Sequence, residues 1–291
     1  MKKAKAINMV KDVKFLTEIQ PTRNFQNPQS LQKVVDYISK HMADSGFTPE
    51  LQSWQAEAEG YSNEYSNVIC CYQPEKQKRL IIGAHYDVCC ETPGADDNAS
   101  AVSGLLETIR IIGAEKPKLD FGIDFVAYCL EEPPFYGTNK MGSYVHAKSI
   151  SGNKENIIGM ICFEMIGYFS DSPGSQNYPN EALRLMYPSV GNFITAVGIE
   201  KYADFNNLIY KGMKKGAKIN VEKINMPSGL GLADMSDQRN YWKFGIPGMM
   251  INDTAFLRNP NYHQMTDTMD TLDYTKMAEV VNCTVNAVLN I

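Results

Sequence analysis

Short apolar runs punctuate this chain, and several of them end in a residue able to bind a metal or move a proton. Leu80-Ile81-Ile82 leads into Gly83-Ala84-His85-Tyr86-Asp87, Phe125 to Leu130 leads into Glu131-Glu132, and Ile161-Cys162-Phe163 leads into Glu164. Near-continuous apolar runs of this length read as strands buried on both faces. Helical segments alternate with them. Residues 7–20 and 30–43 carry amphipathic periods, with Pro28 before the second and Gly46 after it as a stop. Ala99 to Ile112, Gly137 to Lys148, most of Phe193 to Met213, and Tyr274 to Leu289 also read as helix. Further strand candidates are Phe47 to Trp54, Asn67 to Tyr72, Leu80 to Ala84, Phe121 to Leu130, Ile157 to Phe163 and Ile246 to Ile251. Residues 169–180 and 226–238 read as loops. The alternation predicts a layered α/β/α fold with a largely parallel sheet. In such sheets ligands bind beyond the C-terminal ends of the strands, where the polar residues fall here.

Composition narrows the function. The 291 residues include 28 basic and 33 acidic ones, for a formal net charge of −5, and no basic cluster stands out. That argues against a nucleic-acid binder. With only 4 histidines, a metal site must lean on carboxylates. A chain of this length buries roughly three quarters of its unfolded surface and needs no disulfide staples. The 7 cysteines are odd in number, and Cys70-Cys71 and Cys89-Cys90 are adjacent rather than spaced as C-x-x-C. Lys11, Asp12 and Lys14 interrupt any apolar stretch after the first lysines, and no window approaches a membrane span. The expectation is a soluble, cytoplasmic protein without a signal peptide and with no membrane partner. No repeat or linker divides the chain, so residues 1–291 are read as one domain, with 1–46 as helices packed on it.

Each polar cluster has an ordinary reading in isolation. His85 with Asp87 can be a simple strand end, or a metal ligand with its orienting carboxylate. Asp96-Asp97, before the Ala99 helix, can be caps that favour the helix dipole. Glu131-Glu132, followed by Pro133-Pro134, can be a solvated loop. Glu164 sits in so apolar a run that it needs a partner. Tyr262-His263 follows a loop near the C-terminus. Taken together, they give two histidines and several carboxylates at strand ends, a donor set suited to zinc or another first-row divalent ion. Two divalent ions bring four positive charges, which three carboxylates and one bridging hydroxide balance.

In this order, these residues resemble the co-catalytic di-zinc aminopeptidases of peptidase family M28. The likeness rests on His85-Tyr86-Asp87, Gly94-Ala95-Asp96-Asp97-Asn98-Ala99-Ser100, Glu131-Glu132, Glu164-Met165-Ile166-Gly167-Tyr168, Ser236-Asp237, and Tyr262-His263 with Thr266-Asp267-Thr268. It implies a phosphorylase/hydrolase-like sandwich with a mixed, mainly parallel eight-stranded sheet. It also implies that the chain hydrolyses the N-terminal bond of a peptide or small aminoacyl substrate through a metal-bridging hydroxide. By the resemblance, His85 and Glu164 bind one zinc, His263 and Glu132 the other, and Asp97 bridges them. Glu131 is the general base, Asp87 orients His85, and Tyr262 donates to the oxyanion.

Glu164 stands where the family usually has aspartate, which bears on occupancy of the His85 zinc. Gln238 follows Ser236-Asp237 where histidine is usual, Ala101 replaces a common glycine, and Pro133-Pro134-Phe135-Tyr136 replaces the usual turn. A single-zinc acyltransferase resembling the glutaminyl cyclases, and a non-enzymatic binding protein on this scaffold, remain open alternatives. His41 and His146 read as structural, Cys89 and Cys90 as pocket neighbours outside the zinc shells, and the 15 methionines as core filler. Asn98-Ala99-Ser100 matches the glycosylation pattern by chance. A monomer or small homo-oligomer is expected.

Overall fold

The computed structural model describes residues 2–228 and 231–291. Eight strands form one mixed sheet: β1 (Glu50–Ala58), β2 (Tyr61–Tyr72), β3 (Arg79–His85), β4 (Gly122–Tyr128), β5 (Ile157–Glu164), β6 (Phe193–Ile199), β7 (Asn220–Met226) and β8 (Gly248–Asn252). Their order is β1-β2-β4-β3-β5-β8-β6-β7. The β4-β3-β5-β8 centre is parallel, as is β6-β7, while β1-β2, β2-β4 and β6-β8 pair antiparallel.

Helices cover both faces. On one lie α1 (Ala6–Thr17), α2 (Pro28–Asp44), α3 (Ala101–Glu115), α6 (Ala203–Lys214) and α8 (Tyr274–Val288); on the other lie α4 (Gly142–Ile150) and α7 (Gln238–Lys243). A short α5 (Glu181–Met186) sits in the loop after β5. Strand alternation sorts side chains between the layers. Leu80, Ile82 and Ala84 join the larger core under α3 and α8, whereas Ile81 joins the smaller one under α4 and α7. Each fully buried Leu or Ile contributes about 1.5–3 kcal/mol. Pro28 starts α2 without sacrificing a bonded N–H, and Gly46, at φ +89°, ends it in the left-handed region.

The expected three-layer sandwich is present, with two corrections. Phe193–Ile199 is a strand, not the start of a helix, and only Ala203–Lys214 is helical. All seven residues of that strand are buried, so its sequence lacks the alternation that separates strand from helix. The edge strand β7 was not anticipated, because its polar, half-exposed residues carry little apolar signal. The 226–238 stretch is irregular between Met226 and Gln238 where described; residues 229 and 230 lie outside the described residues. No described helix is long and apolar enough to cross a membrane.

Candidate metal centre

Four loops beyond the C-terminal ends of β3, β4, β5 and β8 bring the candidate residues together. His85 ends β3, with its Nδ1 3.2 Å from the Asp87 carbonyl and 3.5 Å from Asp87 Oδ1. The Asp87 carboxylate also accepts the backbone N–H groups of Glu131 and Glu132, both at 3.1 Å. One aspartate thus ties the His85 loop to the glutamate pair. The Asp96-Asp97 turn is held the same way, because Asp267 accepts the N–H of Asp96 at 2.9 Å and of Asp97 at 3.1 Å. Gly94 opens this turn at φ +63°, and a side chain there would strike Val88 and the Asp97 carbonyl.

The paired aspartates part company. Asp96 points inward, where it accepts Gly167 N–H at 2.9 Å and Asn259 Nδ2 at 2.7 Å. Asp97 faces the site. Its Oδ1 lies 3.5 Å from His85 Nε2 and its Oδ2 lies 3.1 Å from His263 Nε2. Glu164 Oε2 is 3.2 Å from His85 Nε2, and Glu132 Oε2 is 3.4 Å from His263 Nε2. Two donor groups therefore share one carboxylate. Glu131 Oε2 lies 3.8 Å from His85 Nε2. Ser236 donates to Glu164 Oε2 at 2.6 Å and Asn98 Nδ2 at 3.3 Å, fixing that carboxylate despite its extra methylene.

This arrangement fits a divalent cation. Asp97 Oδ1, Glu131 Oε1 and Glu132 Oε1 are buried without a hydrogen-bond partner. Buried anionic oxygens in this state are costly unless compensated. Burial pushes Glu131 well above the usual carboxylate range and Glu132 up to about 7, and it raises Glu164 as well. Burial works against charge on His85, yet facing Glu164 and Glu131 hold its affinity for a proton well above normal. His263 is raised too, against its burial, by Asp97, Cys89 and Glu132. Cation demand concentrated on a His/carboxylate set is what zinc satisfies.

Tyr262 stacks on the His263 ring, with centroids 3.8 Å apart and planes at 19°. Burial, then Asp97 and Glu132, pushes its phenol far up, so it stays a donor. An apolar cavity of about 110 Å³ adjoins the donors. Glu164 and Tyr262 are among its lining residues, as are Val197, Ile224, Met250 and Phe256.

All eight residues singled out from the sequence thus converge. Sequence reasoning missed Arg23 and the closeness of Asp237. Arg23 is fully buried, and its guanidinium donates to the carbonyls of Tyr86, Leu16, Pro93 and Gly94 at 2.6–3.0 Å. It staples the N-terminal segment to the loop between His85 and Asp97. Burial lowers its pKa to about 10 even though Asp267 and Asp97 favour the charge. Asp237 is buried with both carboxylate oxygens unpartnered, and burial raises it to about 7. The doubled Ser236-Asp237 in the motif was its only signal.

Gln238 donates to the Ala233 carbonyl at 2.7 Å and faces Met250, so it shapes the loop rather than the donor set. His41 packs on Tyr37 and lies 3.2 Å from Arg110 Nη2, and buried His146 pairs with the Tyr241 hydroxyl at 2.7 Å, both in structural roles. All seven cysteines are free thiols.

The model of peptidase family M28 matches residues 67–288. An uncharacterised protein of Escherichia coli (strain K12), YfbL, is 39% identical over 290 residues, covering 96% of this chain and 86% of its own length. Among solved structures, a Bacteroides thetaiotaomicron glutaminyl cyclase bound to N-acetylhistamine superposes with a TM-score of 0.77 at 22% identity, over 100% of this chain and 99% of that one. A leucine aminopeptidase precursor from Bacteroides thetaiotaomicron VPI-5482 superposes with a TM-score of 0.75 at 20% identity, over 100% and 98%. At these identities the two structures speak for the fold alone. The family match spans most of the chain and contains every donor described above, and the chain belongs to peptidase family M28.

Proposed function

We propose that this chain is a zinc aminopeptidase that releases apolar N-terminal residues from peptides. The observation that carries the reading is Asp97, whose two oxygens lie 3.5 Å and 3.1 Å from the Nε2 atoms of His85 and His263. His85, Glu164 and Asp97 would hold one ion, and His263, Glu132 and Asp97 the other. Zinc there supplies Lewis acidity, polarising a carbonyl and lowering the pKa of water.

The remaining work falls to side chains. Glu131 is 5% exposed, with Oε1 unpartnered, and accepts a proton from the attacking water at that carboxylate. It then delivers the proton to the departing amine nitrogen. Burial raises its proton affinity, which favours holding the proton between the two transfers. Tyr262, kept protonated, donates to the carbonyl oxygen as negative charge builds there. Asp87 keeps His85 and the Glu131-Glu132 backbone in register. The apolar cavity takes the first side chain of the substrate.

A panel of aminoacyl-anilides tests this reading. Leucyl and phenylalanyl substrates should be cleaved, and Glu131→Gln should lose about 10²–10⁴ in rate while retaining zinc. Metal-loaded wild type that cleaves no N-terminal amide across a broad panel would refute it. A second reading, cyclisation of N-terminal glutamine at a single zinc, draws on the hydrogen bonds that already engage Glu164 from Ser236 and Asn98. One zinc per chain with pyroglutamate formed from glutaminyl peptides would favour it.

A further inference from the structure

Cys89 stands four residues beyond His85 in a loop held from both sides. The Cys90 carbonyl accepts Asn24 Nδ2 at 2.6 Å and Thr22 Oγ1 at 3.2 Å, and Val88 N–H donates to the Arg23 carbonyl at 3.2 Å. The Cys89 carbonyl accepts both the Thr92 hydroxyl at 2.8 Å and the Thr92 N–H at 3.2 Å. The backbone therefore fixes where the half-buried Cys89 thiol lies. Its sulfur, a Glu132 oxygen and a His263 nitrogen all fall within 4.8 Å of one another. Independently, Glu132 Oε1 is buried in that cluster with no hydrogen-bond partner. The neighbouring Cys90 is exposed; its sulfur lies 3.5 Å from that of Cys89, and the two are not bonded.

We propose that Cys89 is a fourth protein ligand to the metal held by His263, Glu132 and Asp97. This rests on the metal-centre reading above and makes the two sites unequal. The His263 site offers sulfur, nitrogen and two carboxylates, and four protein donors are the complement of a closed zinc site. The His85 site offers three protein donors, His85, Asp97 and Glu164, with Glu131 Oε2 3.8 Å from His85 Nε2. The thiolate also biases the His263 site toward softer ions. Coordination takes the thiolate, and the thiol proton leaves to solvent.

Cobalt(II) reports on this directly. The full-length chain, stripped of metal and reloaded with up to two equivalents of cobalt, should show a near-ultraviolet sulfur-to-cobalt charge-transfer band beside its visible ligand-field bands. Cys90→Ser should keep that band. Cys89→Ser should lose it and bind one of the two ions more than about tenfold more weakly, since loss of even an outer partner costs that much. In wild type, zinc should slow alkylation of Cys89 at least about tenfold without protecting exposed Cys90, by the same reasoning. This measurement does not depend on the variant folding. Bound cobalt with ligand-field bands but no sulfur band, or equal alkylation of Cys89 with and without zinc, overturns the ligand assignment and leaves the metal centre standing. Failure to bind cobalt at all overturns both.

Discussion

Arg23 is the sharpest test of how the fold supports the site. Replacing it with methionine keeps the approximate volume and removes the guanidinium. Four carbonyls, those of Tyr86, Leu16, Pro93 and Gly94, then lose a donor in a region closed to water. Gly94 keeps the Ala99 N–H at 3.1 Å, so three acceptors are stranded; at about 1 kcal/mol each, the low end for buried groups, the loss is about 3 kcal/mol. For a chain of this size that corresponds to a fall of about 6 °C or more in the thermal midpoint. Differential scanning fluorimetry on wild type, Arg23→Met and Arg23→Lys measures it. The lysine variant should also fall, since an ammonium cannot reproduce the fork. Zinc affinity should weaken in both, because three of the four carbonyls, those of Tyr86, Pro93 and Gly94, belong to the stretch between His85 and Asp97. A midpoint within 2 °C of wild type in Arg23→Met, roughly 1 kcal/mol or less, would refute the staple.

Three further outcomes follow from the structure. Chelation of zinc should lower stability by about 4 kcal/mol relative to zinc at a thousand times its dissociation constant, and the thermal midpoint with it; an unchanged midpoint after verified removal of metal would count against it. His146 is buried, and burial lowers its pKa to about 4 from the usual 6.5, so the unfolded chain binds a proton that the folded chain refuses between these values. Stability should therefore fall as pH drops from 6.5 to 4, by about 3 kcal/mol from this group, and denaturant titrations of His146→Gln should show a shallower loss than wild type. Ile224→Trp should narrow the apolar cavity and shift preference from leucyl toward alanyl anilides, seen as a changed ratio of kcat/KM; an unchanged ratio would remove the cavity from substrate selection.

Much of the site was legible because chemistry and topology coincide. Leu80–Ala84, Phe125–Leu130 and Ile161–Phe163 announce buried strands, and the residues that follow them fall where an open sheet places its ligands. Order along the chain did the rest, since His85, Asp97, the Glu131-Glu132 pair, Glu164 and His263 come from strand ends and loops that only the fold joins. What stayed hidden depends on contacts without local periodicity. Phe193–Ile199 is buried on both faces, and it ran into the following helix as one apolar stretch. Arg23 reads as an ordinary surface arginine until the Leu16 carbonyl and three carbonyls of the distant 86–94 stretch enclose it. Asp267 reaches the Asp97 backbone across 170 residues. Cys89 looked like a bystander because family ligands already filled the donor set, and only the fold reveals how near its sulfur comes to His263 and Glu132.

The central claim is that Asp97 joins two metal ions. Anomalous diffraction at the zinc edge from crystals of zinc-loaded protein tests it most directly. Two peaks roughly 3.5–4 Å apart, one beside His85 and Glu164 and the other beside His263 and Glu132, with Asp97 between them, are predicted. A single peak, or a pair not bridged by Asp97, would contradict it.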